Sequence, residues 1–368
     1  MRELVDELAD WVTQGAEVAL ARVVELDGSG PRLPGAAMMV RADQAVRGSV
    51  SGGCVEGAVV SEAMEVLASG TPRLVSFGYS DDDAFAVGLT CGGTIHLFIE
   101  PFVAGRWFDE FVGDLRAERP VAVASVVEGP GAGATMVVRP DGEVVGSLGN
   151  ANLDRVVARD AQGELAAGRT ALRHYGPDGE ARESAVSVFV ESFAPAPQMV
   201  IFGAVDFTAA LARVAKVLGY RVTVCDARTV FATSERFPMA DEVVIDWPDR
   251  LLADIGHRLG ARDAVCVLTH DAKFDVPAVS AALGTNVGYI GVMGSRRTHE
   301  DRTRRLREAG VDQAGLDRLR SPIGLDLGAR TPEETAISIV SEIIAERSGH
   351  TVGPLSQGQG PIHGQPRL

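Results

Sequence analysis

The chain repeats itself. Residues 19–25, ALARVVE, return as AVASVVE at 122–128. MVRADQAVRGSV at 39–50 returns as VVRPDGEVVGSL at 137–148, VLASG at 66–70 as ELAAG at 164–168, and IHLFIEPF at 95–102 as VSVFVESF at 186–193. A repeat constrains the fold more than any single motif, because both copies must build one kind of unit and pack together to bury it. The copies span about 19–102 and 122–193. Each reads as strands, one helix and further strands, a small α+β unit. An amphipathic helix near residues 2–14 precedes them, with Leu4, Leu8 and Trp11 on one face.

After the Pro-Ala linker APAPQ the pattern changes. MVIFGA, YRVTVCDAR, EVVID, AVCVLTH and VGYIGVMGS are apolar strands separated by helical stretches. This alternation is the βαβ signature of a doubly wound parallel sheet. The last helix opens on Thr331, Pro332 and Glu334, a capping box with proline at the first helical position. The expected class is therefore α/β, a duplicated α+β N-terminal unit followed by a Rossmann-like parallel-sheet domain. The expected domains are 1–194, 195–348 and a polar Gly/Pro-rich tail at 349–368 that is expected to be disordered.

The duplication separates what the fold needs from what one copy adds. Three features belong to the first copy alone. The turn GSGPRLPG is cut to GPGAG in the second copy. Gly52, Gly53 and Cys54 face Asn150, Ala151 and Asn152. The loop SDDDAFAVGLTCGG is shortened, so Cys91, Gly92 and Gly93 have no counterpart. A fold that can be built without these residues leaves them to chemistry. Cys54 follows two glycines at a helix start, where backbone N–H groups and the helix dipole favour a thiolate. A pair of soft sulfurs could bind a soft metal, carry sulfur or ligate a sulfur-rich cofactor. Glu56 is either a proton shuttle or a helix cap, since Asp154 matches it. Arg32 is either an anion partner beside a glycine turn or a solvated arginine. Cys54, Cys91 and Arg32 are expected around one cleft facing the second domain.

In the second domain, Gly203 begins a partial dinucleotide fingerprint, but Val205 stands at its second glycine and Thr208 at its third. Asp226 takes the place of a ribose-binding acid. Ser295 and Arg296, in GSRRT at a helix start, either hold a phosphate or cap and solvate the helix. His270 sits at a strand's C-terminal end, the functional edge of such sheets. Cys225 and Cys266 lie in apolar strands and read as core.

Composition excludes several classes. A net charge of −15 without a long basic run argues against nucleic acid or an anionic membrane as the partner. No apolar stretch is long enough to span a bilayer, and the acidic start does not read as a secretory signal. Four cysteines without a C-x-x-C pair do not form a disulfide scaffold, so a reducing cytoplasm is expected.

Taken together, GSGPRLPGA, SGGCVEG, GLTCGG, DAR, RFPMAD, LTHDAKFD, YIGVMGSRRT and PIGLDLGARTPEETAISI resemble the xanthine dehydrogenase accessory family. These are the molybdenum-cofactor maturation chaperones also linked to carbon monoxide dehydrogenases. The resemblance spans nearly the whole chain in order. It implies a chaperone rather than an enzyme. Such a protein binds molybdenum cofactor transiently, shelters it during sulfuration by a cysteine desulfurase and passes it to a xanthine dehydrogenase-type apoenzyme. It implies cofactor contacts at Cys54, Cys91, Gly52, Gly53, Gly92, Gly93, Arg32, Glu56, Ser295 and Arg296, with Cys54 and Cys91 toward the metal. The family pattern has a fuller Gly-x-Gly and then a histidine where this chain has Val205 and Asp206, so NAD is not expected. An NAD(P)-dependent oxidoreductase with a cysteine-containing site is the alternative, and a scaffold bridging hydroxylase and sulfur donor is a third. A homodimer stays open.

Overall fold

The computed structural model describes residues 1–28, 30–78, 93–181 and 183–357. They form two compact units, Met1–Pro195 and Ala196–Leu368.

The first unit holds the duplication. After α1 (Val5–Thr13), the first copy runs β1 (Val18–Asp27), β2 (Ala37–Arg41), β3 (Val46–Gly48), α2 (Glu56–Ser69), β4 (Arg73–Phe77) and β5 (Thr94–Pro101). Helix α3 (Arg106–Arg116) leads into the second copy: β6 (Val121–Glu128), β7 (Thr135–Val138), β8 (Val144–Gly146), α4 (Ala151–Ala167), β9 (Ala171–Tyr175) and β10 (Val186–Phe193). The first sheet has the order β3-β2-β1-β5-β4 and the second the order β8-β7-β6-β10-β9, the same arrangement twice.

Period-two alternation explains the layering. Ala19, Ala21, Val23, Ile95, Leu97 and Ile99 turn to α2, whose Val59, Ala63 and Val66 complete that core. The second copy packs Ala122, Ala124, Val126, Val188 and Val190 against α4 in the same way. The opposite faces of the two sheets meet through Val24, Phe98, Val127 and Phe189. The result is a helix–sheet–sheet–helix sandwich. Helices α1 and α3 join residues of both sheets in a further cluster, with Leu8 and Phe111 wholly buried. Both repeat helices end on a glycine in the left-handed region, Gly70 and Gly168, as their sequences indicate.

A cluster of three charged side chains is buried in this unit. Arg22 reaches Glu100 of its own sheet at 2.6 Å and Glu191 of the other at 2.8 Å.

The second unit is a six-stranded sheet, wholly parallel, in the order β13-β12-β11-β14-β15-β16. Its elements are β11 (Gln198–Phe202), α5 (Asp206–Val217), β12 (Arg221–Cys225), β13 (Glu242–Val244), α6 (Pro248–Ile255), β14 (Ala264–Val267), α7 (Ala272–Leu283), β15 (Tyr289–Val292), α8 (Arg296–Glu308), α9 (Gln313–Asp317), β16 (Leu319–Arg320) and α10 (Pro332–Ser348). This is the doubly wound order of a Rossmann fold. Met199, Ile201, Val222, Val224 and Cys266 face α5 and α10. Val200, Phe202, Cys225, Val265 and Val267 face the side of α6, α7 and α8. Cys225 and Cys266 are core residues, both wholly buried. The capping box of Thr331 and Glu334 is formed, with both of its reciprocal bonds.

Candidate functional site

Strand register gathers the loops unique to the first copy. Asp27 at the end of β1 pairs with Thr94 at the start of β5, and Phe77 at the end of β4 pairs with Ile95. Arg22 pairs with Ala37 at the start of β2, and Met38 with Gly48 at the end of β3. Loops 28–36, 49–55 and 78–93 therefore leave one end of the first sheet. A β-carbon on Gly28 would lie 3.6 Å from the Cα of Gly93, so these two glycines are neighbours. Arg32 is exposed on the first of these loops. Cys91 and Gly92 lie outside the described residues.

The Cys54 loop is organised by one carboxylate. Glu56 Oε1 accepts from the Ser49 hydroxyl at 2.6 Å and the Ser51 N–H at 2.9 Å. Its Oε2 accepts from the Ser51 hydroxyl at 2.5 Å and the Gly53 N–H at 2.9 Å. Partial burial opposes the charge, but the Ser49 and Ser51 hydrogen bonds prevail and bring the carboxyl down to about 2. The helix-cap reading does not hold, since the N-terminus of α2 has no side-chain cap; the carboxylate instead clasps the loop that precedes the helix. All its acceptor capacity serves the loop, and the second copy repeats the arrangement. There Asp154 accepts from the Ser147 hydroxyl and the Leu148 N–H, both at 2.7 Å.

Gly52 and Gly53 have φ of +75° and +117°, conformations that side chains rarely adopt, and no described residue comes within 4 Å of a β-carbon built on either. The glycines are needed for the backbone turn, and they leave its outer side open. Cys54 follows them, exposed. The helix proper begins two residues later, since Val55 is the N-cap of α2 and Glu56 its first residue. In the second copy, Asn150 takes over the capping and accepts from the N–H groups of Asn152 and Leu153.

A hydrogen-bonded row that sequence reasoning missed crosses the same end of the sheet. The His96 ring lies between the Ser76 hydroxyl, 2.8 Å from Nδ1, and Asp27, 2.9 Å from Nε2. It ties β4, β5 and β1 together where the loops depart. The second copy has a similar row with serine and histidine exchanged and a glutamate for the aspartate: His174 reaches Ser187 at 3.1 Å, which donates to Glu128 at 3.0 Å. The available signal was His96 itself, a polar residue at an alternating position in TIHLFIE aligned with a serine.

In the second unit, the acid at the ribose position is already engaged. Asp226 accepts from the Ala204 N–H at 2.8 Å, the Arg228 N–H at 2.9 Å and the Arg228 guanidinium at 2.9 and 2.7 Å. Burial raises its carboxyl, but the Arg228 and backbone hydrogen bonds outweigh this and hold it below its ordinary value. Ser295 is the N-cap of α8 and accepts from the Thr298 N–H at 3.1 Å. Arg296, next to it, is exposed. Ser295 and Arg296 belong to the second unit, whereas Arg32, Gly52, Gly53, Cys54, Glu56 and Gly93 lie on or beside loops that leave one end of the first sheet. Among the described residues no group of three or more His, Cys, Asp or Glu could hold a metal ion. A single exposed thiol on an open loop can still lend one soft ligand to a metal brought by a bound molecule.

The model of the XdhC and CoxI family matches residues 11–78 and 114–176, part of each repeat, and the XdhC Rossmann domain matches 199–343. The chain belongs to the XdhC and CoxI family. Among relatives of this XdhC-type chain is a probable xanthine dehydrogenase component from Bacillus subtilis, 28% identical over 90% of this chain and 93% of its own. Another is the molybdenum cofactor insertion chaperone PaoD of Escherichia coli, 27% identical over 94% of this chain and 88% of its own. A crystal structure of a xanthine dehydrogenase from Bacillus halodurans is similar with a TM-score of 0.63 and 26% identity, over 95% of this chain and 96% of that one. Among the described residues no helix is long and apolar enough to cross a membrane.

Proposed function

We propose that this XdhC-type protein is a maturation chaperone of the cytoplasm. It takes molybdenum cofactor as cargo, holds it while a cysteine desulfurase supplies sulfur, and delivers it to a xanthine dehydrogenase-type apoenzyme. The observation that carries this reading is the Cys54 loop, an exposed thiol beside two glycines with open space around them, held in shape by Glu56. The cargo is an anionic, phosphate-bearing pterin whose metal is bound by sulfur. Cys54 suits the soft metal. The glycine backbone lets a flat ligand approach. Arg32, on the loop whose base meets Gly93, suits the anionic part. A relative that is named an insertion chaperone adds support along the whole chain.

The test is the cargo itself. Protein purified from a molybdate-fed host, oxidised and assayed for pterin fluorescence, is expected to release a pterin in a fixed ratio to the chain. Protein that carries no pterin when fresh, and takes none up from a cofactor source, would overturn the reading.

A further inference from the structure

A cavity of about 440 Å³ opens at the C-terminal ends of the neighbouring strands β14 and β15, lined by His270, Asp271, Asp275, Thr298, Arg302 and Arg305 among others. Open α/β sheets hold ligands at this edge. Two of the lining residues are charged and almost wholly buried, Asp275 at 3% exposure and Arg302 at 4%. Arg302 donates to Asp275 at 2.9 Å, to the Met293 carbonyl at 2.8 Å and to the Ser321 hydroxyl at 3.1 Å. Thr269 donates to the other oxygen of Asp275. Replacing such a pair by apolar residues is often neutral or stabilising, so stability alone is a poor reason to bury it. Arg302 also keeps its buried Nε–H without a partner among the described residues, a cost that burial makes full.

Donor and acceptor counts set the ligand's sign. Each lining carboxylate is already matched. Asp275 is held by Thr269 and Arg302. Asp301 is shared by Arg304 at 2.5 Å and Arg305 at 2.9 Å. Asp271 caps α7 through the Lys273 N–H at 3.1 Å. Donors are left over, because one guanidinium carries five N–H groups and a single carboxylate cannot use them. Two helices of 12 and 13 residues, α7 and α8, also begin beside the cavity, and helix N-termini favour anions.

We propose that this cavity binds the oxyanion group of a small molecule, a phosphate monoester or a carboxylate, through Arg302, Arg305, Thr298 and His270. The site lies one and two turns beyond the Ser295–Arg296 pair that the sequence nominated. Thr298, Arg302 and Arg305 recur at helical spacing and share one face of α8, whereas the Ser295 hydroxyl is occupied by the cap and Arg296 is not in the lining. The inference is independent of the cargo proposed above.

Calorimetric titration of the full-length protein with inorganic phosphate, and separately with citrate, tests it. Arg305→Gln and His270→Gln report on the cavity, Arg296→Gln controls for general surface charge, and circular dichroism verifies that each variant is folded. Arg302 is left in place, since removing it would strand Asp275. At least one probe is expected to bind the wild type. Affinity should fall by about fivefold or more in Arg305→Gln or His270→Gln, the scale of a lost charge-assisted hydrogen bond, and stay unchanged in Arg296→Gln. Phosphate binding alone assigns a phosphate ester and citrate binding alone a carboxylate. Neither probe binding at about 10 mM, wild-type affinity in both cavity variants, or an equal loss in Arg296→Gln would overturn the site; 10 mM is already weaker than the affinity scale of a specific ligand.

Discussion

Cys54 differs from the core cysteines by its surroundings. Cys225 and Cys266 are wholly buried, and burial pushes the Cys225 thiol up to about 12 and the Cys266 thiol higher still. Cys54 is exposed. Iodoacetamide applied to the native protein should therefore label Cys54 and spare Cys225 and Cys266. Peptide mass spectrometry reads the outcome, and fast labelling of either core thiol would contradict it. Glu56 gives a second prediction at this scale. Its carboxyl is held at about 2 against an ordinary value of 4.5. A depressed carboxylate stabilises the fold above the ordinary value, and that contribution fades as pH falls from about 4.5 toward 2. Glu56→Gln should lower stability at neutral pH and flatten this acid limb, as followed by urea unfolding at several pH values. It should also alter the alkylation rate of Cys54, because the loop loses its clasp. The duplication made Cys54 legible from sequence. The clasp was not legible, since the sequence offered Glu56 only as a proton shuttle or a helix cap, and its five hydrogen bonds depend on the backbone path from Ser49 to Gly53.

Elements followed local rules closely. The repeat, the strand alternation, the glycine stops at Gly70 and Gly168 and the capping box at Thr331 all have local physical causes. Helix α3 between the repeats was not expected, although Phe108, Phe111 and Val112 recur at helical spacing. The pairing of Arg22 with Glu191 could not be read locally, since the partners are 169 residues apart and on different sheets. The matching position in the second copy is Ser125, so one guanidinium serves both pseudo-equivalent glutamates. Removing one member of a buried charge cluster costs about 3–5 kcal/mol. Arg22→Met should lose that much at neutral pH by denaturant unfolding. Burial holds the Glu100 carboxyl above its ordinary value, so the deficit should shrink as acid protonates the stranded glutamates. A variant as stable as the wild type at neutral pH would show that the cluster contributes nothing to joining the sheets.

On the scale of the whole molecule, a duplicated sandwich and a Rossmann-like domain share one chain, and each presents a different chemistry. The second unit keeps the strand order of a dinucleotide binder with an altered fingerprint. Val205 stands where glycine lets a pyrophosphate approach, and Asp226 is engaged by Ala204 and Arg228. Calorimetry with NAD should find affinity no tighter than about the millimolar range, worth roughly 4 kcal/mol; low-micromolar binding would contradict this. The cavity beside His270 was only partly legible, because its residues come from one loop and two helices, α7 and α8, brought together by the sheet.

The central claim rests on Cys54 as the residue that meets the cargo. Asn152 occupies its place in the second copy, so the unit folds without a thiol there. The direct measurement compares Cys54→Ala with Cys225→Ala for activation of a molybdenum hydroxylase in cells, at matched abundance of each variant. Cys225→Ala should lower stability by about 1–3 kcal/mol through a small cavity and still support activation. Cys54→Ala should remain folded and soluble yet fail to activate the hydroxylase. Full activation by folded Cys54→Ala protein would contradict the account and leave the glycine loops without their sulfur.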